Sequence, residues 1–201
     1  FRLPIFNPLL ISIIAVMIFL SVFHIDYESY NVSARYLSYL LTPATVCLAV
    51  PLYQQLSLLK KHARAILAGT VTGVLTTMAT VLVLALLFQL THEQYVTFLP
   101  KSITTAIGMG VSEEMGGIVT ITVACIIITG IIGNIIAETV CRLFHITEPV
   151  AKGIAIGSAS HAIGTTKAME MGEIEGAMSS LAIAVSGLCT VLFASVFANF
   201  I

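Results

Sequence analysis

Five stretches of the chain, 3–25, 36–59, 65–92, 115–137 and 176–201, contain no Asp, Glu, Lys or Arg. Each is longer than the roughly 18 apolar residues that mark a candidate transmembrane helix. Hydrocarbon offers backbone amides no partner, so a run of this kind folds as a helix. A barrel would alternate polarity in strands of about ten residues, and these runs are apolar on every side. The pattern predicts an all-α, polytopic integral membrane protein with spans over 8–24, 35–54, 62–90, 118–144, 150–170 and 175–201.

Composition points the same way. Hydrophobic residues make up 58% of the 201 residues and charged residues 9%, with a mean hydropathy of +1.03. A soluble domain carries about 25% charge. Disorder requires low hydrophobicity, and a net charge of −1 without a basic stripe excludes a nucleic-acid partner. Cys47, Cys125, Cys141 and Cys189 form no CxxC pair and read as small apolar side chains. No metal site and no cofactor is expected. The chain begins at Phe1, which raises the expectation of a longer protein with an additional N-terminal span.

Loop charges give a direction. Segment 57–64 holds Lys60, Lys61 and Arg64, and 142–152 holds Arg142 and Lys152 against Glu148. Short basic loops stay cytoplasmic, so both are expected inside. The resulting thread runs 8–24 outward, 35–54 inward, 62–90 outward, 118–144 inward, 150–170 outward and 175–201 inward. Segment 99–117 must then enter and return, since its uncharged core, 102–112, is too short to span; a re-entrant hairpin fits. One membrane domain, 1–201, is expected, with inverted pseudo-repeats of about 8–90 and 118–201 joined by 99–117. Such repeats with broken spans point to a secondary-transport site. Gly69xxxGly73, Gly153xxxGly157 and Gly172xxxGly176 fit close helix packing.

Three segments are polar at membrane depth. In Thr42-Pro43-Ala44-Thr45, Pro43 removes a helix hydrogen bond, leaving backbone groups for a ligand or making a simple kink. In Pro100-Lys101-Ser102-Ile103-Thr104-Thr105, hydroxyls and a cation gather at a helix start, suited to a carboxylate or phosphate, or to plain capping beside an interfacial lysine. The third, 153–167, carries Ser158, Ser160, His161, Gly164, Thr165, Thr166 and Lys167. Its polar atoms must face protein or water. His161 is a candidate anion donor or proton relay, the competing reading being a satisfied core histidine. Glu113 and Glu114 are candidates for proton or ion coupling, or sit exposed at a mouth. Glu138 and Arg142 are spaced for a surface ion pair, and Glu170, Glu173 and Glu175 read as a solvated loop. No GxSxG, HExxH, Walker A or GxGxxG is present, so no enzyme is expected.

The chain resembles the LrgB/CidB family over nearly its whole length. The resemblance rests on Asn7-Pro8-Leu9-Leu10, the stretch from Thr42 to Tyr53, Leu99-Pro100-Lys101-Ser102-Ile103-Thr104-Thr105, Gly116-Gly117-Ile118, the stretch from Ala151 to Thr165 with its Ala-Ser-His-Ala-Ile-Gly-Thr, and the run from Glu175 to Ala182. Ala106 stands where the family often has Pro, and Lys167 where Arg is usual. The resemblance implies a bacterial inner-membrane protein and two accounts of its work. One is antiholin-like control of murein hydrolase and lysis beside a small LrgA/CidA-type membrane partner. The other is transport of small monocarboxylates, as in plastid glycolate/glycerate relatives. Hydroxyls, His161 and Lys101 at membrane depth favour transport by alternating access. The expected partners are a small anion, lipid and a second copy of the chain.

Overall fold

The structure is a computed structural model that describes residues 8–40, 43, 53 and 56–201. Every regular element among them is helical: α1 (Pro8–Val22), α2 (Tyr27–Ser38), α3 (Leu56–Leu87), α4 (His92–Phe98), α5 (Thr105–Glu114), α6 (Val119–Leu143), α7 (Pro149–Met171), α8 (Glu173–Phe197) and a 3-10 turn, Ala198–Phe200. The chain divides into two units, Phe1–Val50 and Pro51–Ile201.

In the first unit, Pro8 opens α1, where a missing N–H costs nothing. Asp26 caps α2 by accepting from the Glu28 amide at 3.1 Å. The expected span 35–54 is described only at its start, where α2 ends, and at Pro43 and Tyr53; the remainder lies outside the described residues.

In the second unit, 60–87, α6 and 173–200 are long and apolar enough to cross a membrane, and the chain is a membrane protein. On α3, Ile66, Thr70, Val74, Met78, Val81 and Ala85 form one buried stripe, while Leu67, Leu75, Val83 and Leu86 stay exposed. An apolar helix with an apolar outer face belongs in lipid.

Four helix ends close the same way. His24, Gln89, Gly116 and His145 take positive φ, and the following amide reaches back five residues: Ile25 to Leu20 at 3.0 Å, Leu90 to Ala85 at 2.9 Å, Gly117 to Ser112 at 2.8 Å and Ile146 to Cys141 at 2.8 Å. This left-handed cap satisfies carbonyls that the last turn orphans.

The fifth positive-φ residue is different. His161 lies inside α7, at φ 43 and ψ −143, and the chain folds back there. A Cβ on Gly164 would lie 3.2 Å from the Ile156 side chain, whereas eight residues of straight helix span about 12 Å. Ile156 also packs with Ala168, Met171 and Ala137. The expected crossing over 150–170 is therefore corrected: α7 is two arms side by side, and both open ends lie near the end of α6. Lys167 reaches Glu138 at 3.4 Å, and Lys152 reaches Glu175 at 3.9 Å.

The end of α4 and the end of α5 both meet the start of α6. The Ser112 and Thr122 hydroxyls are 2.7 Å apart, Thr122 donates to the Thr97 carbonyl at 2.9 Å, and the Ile118 amide donates to the Thr97 hydroxyl at 2.8 Å. Tyr95 of α4 is fully buried and donates to the Phe197 carbonyl at 2.9 Å. α4 follows the expected span 62–90 and is closed at its start by a reciprocal Thr91–Gln94 cap.

Candidate functional site

The bend in α7 is held from two sides, by α6 and by α8. A histidine in a backbone region that only glycine adopts readily costs of order 1–3 kcal/mol and persists only where its surroundings enforce it. α6 supplies the seat. A Cβ on Gly130 would come within 2.7 Å of the His161 ring, and one on Gly133 would collide with Ser160. His161 Nε2 lies 2.9 Å from the Ile126 carbonyl oxygen. A carbonyl only accepts, so Nε2 carries the proton. Asn134 donates to the Ile163 carbonyl at 2.9 Å and to the Thr166 hydroxyl at 2.8 Å. From α8, Ser179 pairs with Thr165 at 2.7 Å, and Thr165 also donates to the His161 carbonyl at 2.9 Å.

Glycines bring α8 this close. A Cβ on Gly153 would lie 2.5 Å from the Glu175 carbonyl, and one on Gly157 would collide with the Ser179 carbonyl. Gly69 and Gly73 of α3 meet the same arm, at Ile154 and Ser158. Gly69xxxGly73 and Gly153xxxGly157 thus mark helix contacts, whereas Gly172 is the linker between α7 and α8.

The turn between α4 and α5 forms the second bend. Ser102 and Ile103 are buried, and Lys101 is partly buried with Nζ 3.2 Å from the Ser102 hydroxyl. Among the described residues no carboxylate lies within ion-pair distance of Lys101. Thr104 occupies the N-cap of α5 without a side-chain cap bond, and Thr105 begins the helix. A half-buried cation beside a helix start is the arrangement an anion satisfies.

The two bends meet. Ser102 and Ile103 from one, and Ser158 from beside the other, line a cavity of about 10 Å³ together with Thr77 and Thr190, room for about one water. Below it, a groove of about 920 Å³ runs between α3 and the first arm of α7, from His62 and Glu148 to Thr77 and Ser158.

The remaining expected site residues fall as follows. Ser158, Ser160, Gly164 and Thr165 are buried, and Thr166 is exposed. The Ser158 hydroxyl donates to the Ile154 carbonyl at 2.7 Å. Glu113 and Glu114 are exposed at the end of α5 away from Lys101, about 15 Å along the helix. Pro43 is exposed, and Thr42, Ala44, Thr45 and Cys47 lie outside the described residues. Cys125, Cys141 and Cys189 are free. Glu138 pairs with Arg142 at 2.5 Å, as its spacing predicts. Glu175 departs from the expected solvated loop: it is buried in the first turn of α8 and faces Lys152, because only Gly172 separates α7 from α8.

Sequence reasoning missed Thr77, Asn134, Ser179 and Thr190. Asn134 had a signal, being an amide in an otherwise uncharged span. The hydroxyls had none, because threonine and serine are common throughout these helices.

Comparison with known proteins extends over the same residues. The LrgB-like family pattern matches residues 1–200. Proteins named antiholin-like protein LrgB from Bacillus mycoides (strain KBAB4), Bacillus cereus (strain B4264) and Bacillus anthracis (strain CDC 684 / NRRL 3495) are each 36% identical over 196 residues, covering 98% of this chain and 85% of theirs. No solved structure matches it. With the pattern spanning both bends and all three long apolar helices, the chain belongs to the LrgB-like family.

Proposed function

We propose that the chain acts as an antiholin-like membrane protein of the bacterial inner membrane, regulating murein hydrolase activity and lysis beside a small LrgA/CidA-type partner. The observation that carries this reading is the 36% identity, over 98% of the chain, to proteins of that name. The test is deletion and overexpression in the source cell, followed by zymography of secreted hydrolases and by lysis rate. Unchanged hydrolase activity and unchanged lysis under both conditions overturn it.

A second reading concerns what the molecule does in the bilayer, and a specific observation favours it: Ser102 and Ser158 line one small cavity with Thr77 and Thr190, and Lys101, which donates to Ser102, has no carboxylate within ion-pair distance among the described residues. In this reading α3, α6 and α8 cross the membrane, while α4–α5 and α7 dip in from opposite faces. The arms of α7, 149–160 and 162–171, are about 18 and 15 Å long, half of a hydrocarbon core of about 30 Å. The inverted relation then pairs α3–α4–α5 with α6–α7. The helix start at Thr105, Lys101, Ser102 and Ser158 hold the carboxylate of a small monocarboxylate such as pyruvate, glycolate or lactate. His161 supports the bend or relays a proton, and alternating access moves the bends against the crossing helices. Uptake of labelled pyruvate, glycolate and lactate into proteoliposomes tests it. If none of them accumulates, the carrier reading fails and lysis control stands alone.

A further inference from the structure

We infer that the groove between α3 and the first arm of α7 is a water-filled vestibule, through which a small carboxylate reaches the cavity at the two bends from the end that carries Lys60, Lys61 and Arg64. This rests on the carrier reading and adds to it a route and a side of access.

Continuity is the first argument. Thr77 and Ser158 form the deep end of the groove and also line the small cavity. These two side chains are all the spaces share, so they are the floor of one and the wall of the other. Length is the second. Along α3, from His62 to Thr77, the groove runs about 22 Å, which takes it past the middle of a hydrocarbon core of about 30 Å.

Chemistry is the third. The walls are small, with Gly69, Gly73 and Ala155 leaving the space open, and Thr72 and Thr76 add hydroxyls. The Thr72 hydroxyl donates to the Ala68 carbonyl at 2.7 Å, but an acyl chain would leave the Glu148 carboxylate at the mouth dehydrated, whereas water bonds to it and to the groove hydroxyls. Lys60, Lys61 and Arg64 are exposed on the first turns of α3 at the same mouth. These exposed cations raise the local concentration of anions at that end. The floor is narrow: a Cβ on Gly73 would stand 3.1 Å from the Ser158 hydroxyl. The groove is thus open to one end and closed at the bends.

The test uses the full chain in proteoliposomes, with Cys47, Cys125, Cys141 and Cys189 changed to Ala and one cysteine introduced at a time. Ala155→Cys and Thr76→Cys report the groove, Ile128→Cys the exposed outer face of α6, and Lys61→Cys the side. The probe is the membrane-impermeant anion sulfonatoethyl methanethiosulfonate, with a trimethylammonium analogue for comparison. Groove cysteines are expected to react about 10-fold faster than Ile128→Cys, only from the side at which Lys61→Cys reacts, and faster with the anionic reagent. Equal rates for groove and outer face, or reaction from the opposite side, overturn the inference. Two independent groove positions, each checked for complete reaction after denaturation, keep a misfolded variant from deciding the matter. Labelling reads water and uptake reads turnover. Fast labelling without uptake removes the carrier reading and leaves the wet groove standing; uptake with slow labelling removes the vestibule alone.

Discussion

His161 Nε2 donates to the carbonyl oxygen of Ile126, 2.9 Å away on α6, while the His161 backbone sits at φ 43 and ψ −143. One residue therefore carries both a bond to the neighbouring helix and the conformation that turns α7 back. Substitutions separate the two. His161→Ala loses the hydrogen bond, worth about 0.5–1.5 kcal/mol, and keeps the strain. His161→Gly loses the same bond but relieves about 1–3 kcal/mol of backbone strain. Glycine is thus expected to melt at a higher temperature than alanine in detergent-solubilised protein. Within an ordinary helix the order reverses, with glycine about 1 kcal/mol worse. An alanine variant that melts at or above the glycine variant would remove the strained bend from the account.

Glycine positions divide by what a methyl group would meet. Gly157→Ala drives a Cβ into the Ser179 carbonyl, and Gly133→Ala into Ser160, whereas Gly110 has nothing within 4 Å of the corresponding point. Overpacking against backbone costs about 1–3 kcal/mol. Gly110→Ala instead gains about 0.4–1 kcal/mol by restricting the unfolded chain. Thermal melting of the three variants is expected to show two falls and one rise. A neutral Gly157→Ala would mean that α7 and α8 are not in backbone contact.

Much of this was legible because the membrane simplifies the code. Charge-free runs located α3, α6 and α8, and glycine spacing located the α7–α8 crossing. The polar stretch 100–105 pointed to a helix start, and α5 begins at Thr105; the stretch 153–167 pointed to a broken helix, and α7 breaks at His161. The sense of α7 was not legible. Two half-length arms and one full span have the same residue count and the same hydropathy, and only the His161 dihedrals and the Lys167–Glu138 distance tell them apart. The burial of Glu175 was not legible either; it follows from the close approach of α7 and α8. Thr77 and Thr190 reach the cavity by helix packing, which leaves no mark on local sequence.

The charged end of the molecule offers a graded comparison. Glu138 holds Arg142 and Lys167 on a solvated surface, whereas Glu175 is 8% exposed and faces a partly buried Lys152. Surface pairs contribute within about 1 kcal/mol. Leaving one charge of a fully buried pair without its partner costs about 3–5 kcal/mol, and this partly buried pair falls between the two. Glu175→Gln is therefore expected to lower the melting temperature clearly, with Glu138→Gln near neutral. Adding Lys152→Met to Glu175→Gln is expected to recover part of the loss, because the stranded cation goes with it. A Glu175→Gln protein as stable as the parent would return this residue to the solvated loop.

The strongest demand on the carrier reading falls on Ser102 and Ser158, which come from different bends and line one cavity. If both hold the same carboxylate, removing either hydroxyl weakens a shared arrangement, and the second removal has less left to break. Ser102→Ala and Ser158→Ala are each expected to raise the KM for pyruvate uptake several-fold. The double variant is expected to fall short of the product of the two, with a coupling of about 0.5–3 kcal/mol. Lys101→Ala is expected to cost more than either, since the cation supplies the charge, and Lys101→Arg less, since it keeps that charge. Two KM effects that multiply fully would mean that the bends do not grip one ligand between them. A Lys101→Ala protein with unchanged KM would mean that the half-buried ammonium has some other counter-charge.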